Sequence, residues 1–275
     1  MPGYWRGARP GMIVVLMSEH VQTERSGAVV TIRMARPEKK NALTVDMYRG
    51  MTVALSDATR DPGVRAIVIT GAGGSFTSGN DLKDFAATPP ADADSPVFQF
   101  LHEISSCPKP IVAAVNGVAV GIGTTMLLHC DLVVADPATR FSLPFINLGL
   151  VPEAASSLLL PGMIGHRRAS ELLMLGDAFD AATAERFGII NRISAAGEAE
   201  TDAVAWAQAL ATKAPIALRK TKALLKSETT GVMPRMQEEA RDFVAQLHGP
   251  EFREALMAFM EKRAPRFTEG PVGAT

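Results

Sequence analysis

Short apolar runs separated by stretches of helical period set the rhythm of this chain. Residues 28–33 alternate and are β-branched, which predicts a strand. The apolar runs 64–70, 111–115 and 131–135 predict buried strands, and 139–142 a short one. Met47, Met51, Leu55 and Ala58 fall at helical spacing, so an amphipathic helix follows the polar loop at 36–43. Thr44 or Asn41 would cap it, and Asp61-Pro-Gly63 would end it. Further helices are expected over 97–106, 124–130, 166–176 and 181–188, and a last strand over 189–193. Beyond Ala195 the period is helical throughout, over 198–213, 216–226, 234–248 and 251–262. Phe252, Leu256 and Phe259 make one apolar stripe there, able to pack on the chain's own core or on a neighbouring copy.

Strands alternating with helices, then helices alone, predict an α/β core at 21–195 and a helical C-terminal region at 196–268. Residues 1–20 read as a loose leader before the first strand, of the kind an upstream start codon leaves, and 269–275 as a frayed tail. The polar Pro/Ala/Asp-rich segment 86–95 reads as a mobile flap over a site.

Composition narrows the function classes. With 275 residues, 47% of them hydrophobic, the chain can bury a large core. A net charge of -1 offers no footprint for nucleic acid or an anionic membrane. Two cysteines, Cys107 and Cys130, make neither a disulfide scaffold nor a metal motif, so no metal is expected and a reducing cytoplasm is the natural home. The apolar run at 12–17 is too short for a secretory or membrane-spanning segment, which would need about 20 residues to cross.

The stretch Ser75-Phe-Thr-Ser-Gly-Asn-Asp-Leu-Lys-Asp-Phe85 stands out. It follows a buried strand and the turn Gly71-Ala-Gly-Gly74, and Gly79 lets the chain bend before Asn80 or Asp81 caps a short helix. Free N–H groups at such a helix start can point at a developing negative charge. A plain loop with an N-cap gives the same local pattern. The glycines at 71–74 and 121–123 do not complete Gly-x-Gly-x-x-Gly, which argues against a nicotinamide-binding oxidoreductase.

Several motifs, in order, resemble the enoyl-CoA hydratase/isomerase (crotonase) family. They are Arg36-Pro-x-x-x-Asn-Ala-Leu43, Phe76-Thr-Ser-Gly-Asn-Asp-Leu82, Val115-Asn-Gly-Val-Ala-Val-Gly-Ile-Gly123 and Cys130-Asp131. Ala181-x-x-Ala-x-x-Phe-Gly-x-Ile190 and Lys262-Arg-Ala-Pro-Arg-Phe267 complete the series, so the match runs from about 24 to 268. The resemblance implies a crotonase-like spiral of ββα turns with a helical C-terminal trimerisation region, a homotrimer or hexamer, and an acyl-CoA thioester as substrate. No cofactor is implied, because coenzyme A is part of the substrate. The oxyanion hole would be the backbone amides of Asn80 and Ile122; Ser78 and Gly79 would meet the adenine and the bent CoA. Leu82 would line the pocket. Asp81 sits within the same binding stretch and reads as a helix cap. Lys39 and Lys40 read as solvated loop lysines, with contact to CoA phosphates as the alternative.

The carboxylates then discriminate. Adding water across a double bond needs one group to activate water and another to deliver a proton. The hydratases that this chain resembles use two glutamates, at positions held here by Thr125 and Phe145. Glu153 remains, after Val151-Pro152 and before a helix, as in peroxisomal-type Δ3,Δ2-enoyl-CoA isomerases. There one glutamate moves a proton from C2 to C4. Apolar neighbours such as Phe145, Leu150 and Leu158 would raise its pKa. Without the family, Glu153 reads first as an acid favouring a helix N-terminus. Asp131 reads as structural, and His129 and His102 as second-choice bases. The expectation is a Δ3,Δ2-enoyl-CoA isomerase with Glu153 as acid/base. The alternatives are a specialised hydratase, another enolate-forming CoA enzyme, or an acyl-CoA-binding module without turnover.

Overall fold

The computed structural model describes residues 13–91, 94–226 and 231–267. A seven-stranded sheet forms the centre. It contains β1 (Ile13–Ser18), β2 (Val21–Ser26), β3 (Val29–Met34), β4 (Ala66–Gly71) and β5 (Ile111–Val115). A three-stranded sheet starts with β6 (Val118–Val120), and β7 (Leu132–Ala135) returns to the large sheet. β8 (Arg140–Ser142) and β9 (Phe179–Asp180) finish the small sheet, and β10 (Arg192–Ile193) closes the edge of the large one. Spatial order in the large sheet is β1-β2-β3-β4-β5-β7-β10, parallel from β3 onward.

Helices fill the crossovers. They are α1 (Val45–Arg60), α2 (Leu82–Ala87), α3 (Pro96–Ser106), α4 (Ile122–Thr125), α5 (Ser156–Ile164), α6 (His166–Ser170) and α7 (Ala181–Arg186). The C-terminal region holds α8 (Ala199–Ala211), α9 (Pro215–Leu225), α10 (Val232–Leu247) and α11 (Pro250–Glu261). No helix among the described residues is long and apolar enough to cross a membrane.

Period-two burial explains the layers. Ile67, Ile69 and Ala113 face a large core shared with Met47, Met51, Leu55, Phe100 and Ile104 of α1 and α3. Ala66, Val68, Val112, Ala114 and Val134 face the other side, where Ala199, Ala203 and Ala207 of α8 lie against them. Alanine at this four-residue spacing lets α8 approach the sheet closely. The first helix of the C-terminal region is therefore a layer over the sheet.

Sequence expectations change at four places. The stretch 13–18, expected within a loose leader, is strand β1, paired antiparallel with β2 through Ile13 opposite Arg25 and Leu16 opposite Gln22. An apolar run of that length, too short for a membrane, is the right length for a strand. β2 itself went unpredicted because Val-Gln-Thr-Glu-Arg-Ser carries one strongly apolar residue. Only 192–193 of the strand expected at 189–193 are extended. The N–H of Ile189 donates to the Ala184 carbonyl, so the end of α7 draws Ile189 and Ile190 into a turn and into the core. The flap expected at 86–95 begins inside α2; its residues 92–93 lie outside the described ones, as do 1–12 and 268–275.

Candidate active site

Asn41 anchors the loop that begins the site. It is fully buried, and its Oδ1 accepts the Arg36 N–H at 2.8 Å while Nδ2 donates to the Ala72 and Ser75 carbonyls at 2.9 and 2.6 Å. Thr44, not Asn41, caps α1, accepting the Met47 N–H. The Thr77 hydroxyl donates to the Asn41 carbonyl at 2.7 Å and accepts the Gly79 N–H at 3.1 Å. Residues 76–78 run alongside β6: Phe76 donates to Asn116, Thr77 to Val118, and Val120 back to Thr77. Two glycines then turn the chain. Gly79 has φ +89°, and a Cβ there would sit 2.9 Å from the Val120 carbonyl oxygen. Gly121, at φ +55°, is the entry to α4.

These turns lead into two residues whose amides are left without a partner among the described residues. Asn80 and Ile122 line the same cavity, and neither N–H donates to any acceptor among the described residues. Ile122 is the first residue of α4, where a helix leaves its N–H groups unpaired. Asp81 is the cap of α2, accepting from the N–H groups of Lys83 and Asp84, and its Oδ2 takes Arg36 Nη1 at 2.7 Å. Burial pulls the Asp81 carboxyl up, but Arg36 and the two amides leave it below its ordinary value. Asp81 is thus an engaged anion at the cavity wall.

Glu153 is different. It is 4% exposed, lines the cavity, and its Oε1 has no hydrogen-bond partner among the described residues. Burial, helped by the negative charge of Glu239, pushes its pKa from an ordinary 4.5 to about 8. Its backbone carbonyl accepts from the N–H and hydroxyl of Ser156 at 3.0 and 2.6 Å. The two residues that follow, Ala154 and Ala155, are both left-handed, at φ 60° and 54°. Non-glycine residues adopt that region at a cost of about 1 kcal/mol or more each, and do so where the surroundings demand it.

The cavity has a volume of about 480 Å3. Its walls are mostly apolar and include Leu82, Phe85, Phe145, Leu150, Phe243, Phe252 and Phe259. Every residue expected to bind or act (Ser78, Gly79, Asn80, Asp81, Leu82, Ile122 and Glu153) lies on this one cavity. Lys39 joins its rim, while Lys40 is exposed and ends the preceding 3₁₀ turn. The apolar stripe of α11 closes one side, through Phe252 and the 63% exposed Phe259. Two neighbours expected around Glu153 are there, Phe145 and Leu150; the third, Leu158, is not, because α5 turns it 37% exposed to solvent. Thr125 is buried and does not line the cavity, and its Oγ1 is unpartnered among the described residues. His102 is exposed on α3 and is not among the residues lining this cavity. Asp131 accepts Ile111 N–H at 2.7 Å and pairs with the buried Lys222 at 2.6 Å.

Residues 24–270 match the profile described as enoyl-CoA hydratase/isomerase. The chain belongs to that family. It is thereby an acyl-CoA-processing enzyme with the crotonase fold. The structure of OdaA from Pseudomonas aeruginosa is 45% identical, with TM-score 0.86, covering 88% of this chain and 99% of that one. The Escherichia coli K12 protein named 1,2-epoxyphenylacetyl-CoA isomerase is 33% identical over 92% of this chain and 99% of its own. Rat enoyl-CoA delta isomerase 2 is 32% identical over 90% of this chain and 64% of that longer protein. Other family members of comparable identity carry hydratase and dehydratase names.

Two site residues escaped sequence reasoning. Tyr48, buried in α1, donates its hydroxyl to Asn80 Oδ1, and burial beside Glu153 holds its pKa well above the ordinary value. Glu239 is 6% exposed on α10 and accepts three hydrogen bonds from the start of α5. Its signal was present: Val232, Met236, Glu239, Phe243 and Leu247 form the buried stripe of α10, and a carboxylate in such a stripe needs a partner.

Proposed function

We propose that this family member is a Δ3,Δ2-enoyl-CoA isomerase. The thioester oxygen of a 3-enoyl-CoA sits between the N–H groups of Asn80 and Ile122. Glu153 takes a proton from C2, the oxyanion hole holds the resulting dienolate, and Glu153 returns the proton to C4. The product is the conjugated 2-trans-enoyl-CoA, with no atom gained or lost. Ser78, Gly79, Asp81 and Leu82 shape the binding groove for the CoA and the start of the acyl chain.

The observation that carries this reading is the contrast between the two cavity carboxylates. Asp81 is tied to Arg36 and the helix amides, while Glu153 is buried, without a partner for Oε1 among the described residues and shifted to about 8. Proton relocation needs one such group, whereas hydration asks for two. Phe145 fills a position where the hydratases resembled here carry a glutamate, and it lines the cavity as an apolar wall. In the same reading three or six copies assemble, covering exposed apolar side chains such as Met257 and Met260 of α11.

The pH profile tests it. Glu153 must be ionised to take the C2 proton, so kcat/KM for 3-enoyl-CoA is expected to rise with pH and level off above about 8. The readout is formation of the conjugated thioester. No conversion at any pH, or a rate that is flat from pH 6 to 9 within about twofold, would count against Glu153 as the base.

A further inference from the structure

The chain that carries Glu153 is gripped from two sides. On one side the Glu239 carboxylate, reaching from α10, accepts the Ala155 N–H at 2.6 Å, the Ser157 N–H at 3.0 Å and the Ser157 hydroxyl at 2.6 Å. On the other, His129 Nε2 lies 2.8 Å from the Ala154 carbonyl oxygen. Burial lowers the His129 pKa to about 4, so the ring is neutral and its Nε2–H donates to that carbonyl. Between the grips lie the two left-handed alanines. Neither Glu239 nor His129 is among the residues lining the cavity, so neither has a place in the proton transfer itself.

We propose that Glu239 is a positioning residue for the reaction, fixing and aiming the segment that carries Glu153, with His129 as its counter-hold. This rests on Glu153 being the base. Two left-handed alanines in succession are not a conformation the chain selects alone. A carboxylate accepting three hydrogen bonds on one flank, and an imidazole on the other, supply the over-determination. A buried anion is also a costly way to cap a helix, since a serine or asparagine cap needs no buried charge. Its charge acts on Glu153 as well as its hydrogen bonds. The groups facing this pair are Tyr48 from α1, His129 from the turn after α4, and Arg235 from α10. Arg235 sits 3.3 Å from the Ser157 hydroxyl and is itself paired with Glu238 at 3.2 Å.

The test uses the full chain with glutamate carboxyl carbons isotopically labelled. The Glu153 signal is assigned by its loss in Glu153→Gln and titrated in the wild type, Glu239→Gln and Ser157→Ala. Glutamine keeps one acceptor oxygen but turns an NH2 toward the other donors and removes the charge. Glu239→Gln is expected to move the Glu153 midpoint down, by the part of the upward shift that the Glu239 charge adds to burial. It is also expected to lower plateau kcat at least tenfold with KM changed less than about threefold. Ser157→Ala keeps the charge and removes one grip, so kcat is expected to fall several-fold with the midpoint in place. A midpoint that stays put in Glu239→Gln, or a plateau kcat equal to the wild type, overturns the proposal. If Glu239→Gln does not fold, Ser157→Ala decides: wild-type kcat in a folded variant overturns it. The midpoint needs no turnover, so it still reports on Glu239 should the chain isomerise nothing; the isomerase reading itself fails separately, if Glu153→Gln turns over like the wild type.

Discussion

Glu153→Gln is expected to lower kcat for 3-enoyl-CoA by about 10²–10⁴-fold with KM within about threefold of the wild type. Glutamine fits the same space, keeps the apolar walls intact and accepts no proton. The substrate is held elsewhere, by the Asn80 and Ile122 amides and the cavity lining, so binding should survive. Stability should move in the opposite direction, and with pH. Native Glu153 holds its proton up to about 8, while in the unfolded chain the same group releases it near 4.5. Between those values the unfolded state binds fewer protons than the native one, so the wild type loses stability as pH rises through that window. Glutamine has no such loss. The variant should match the wild type near pH 4 and exceed it by on the order of 4 kcal/mol at pH 8. Chemical denaturation at both pH values, beside steady-state kinetics, checks both halves. A variant that is active, or one whose advantage does not grow with pH, would place the base elsewhere, with Asp81, the other carboxylate on the cavity, the next to test.

Ile122→Pro carries the second largest effect. Proline removes the N–H proposed as one of the two oxyanion donors, yet Ile122 is the first residue of α4, a position that tolerates proline. Losing one such donor costs about 2.7–4 kcal/mol of transition-state stabilisation, or about 10²–10³ in kcat. Ile122 is buried, so trimming it has a packing cost of its own. Ile122→Val keeps the donor and should lose only about 0.5–1.5 kcal/mol of stability, with kcat close to the wild type. The comparison of kcat in the two variants, with circular dichroism to confirm the fold, separates the amide from the side chain. Equal rates would remove Ile122 from the oxyanion hole.

What the chain discloses before folding depends on the range of the interaction. The parallel strands at 66–71 and 111–115 were legible because burial on both faces leaves an uninterrupted apolar run. The cavity wall at 78–82 was legible because Gly79 and Asp81 punctuate it locally, as a left-handed turn and a helix cap. β2 was not, since its polar face conceals the alternation and its partners β1 and β3 supply the hydrogen bonds. Glu239 was read as one more residue of an amphipathic helix. Its partners Ala155 and Ser157 lie more than 80 residues away in the chain, and no local pattern encodes that meeting. Tyr48 likewise acquires meaning only where α1 passes Asn80. The oxyanion amides leave no side-chain trace of their own. Only the motif match, and the glycines beside them, pointed to those two positions.

In the proposed reaction one carboxylate carries one proton between two carbons. The most direct measurement is therefore turnover of 3-enoyl-CoA deuterated at C2 in ordinary water, with the product's C4 read by NMR from the earliest turnovers. A buried Glu153 that shuttles the proton is expected to deliver deuterium to C4 at a level well above background. A product that forms at full rate with no deuterium at C4 from the first turnover would contradict the single-carboxylate shuttle and assign delivery at C4 to water or to a second group.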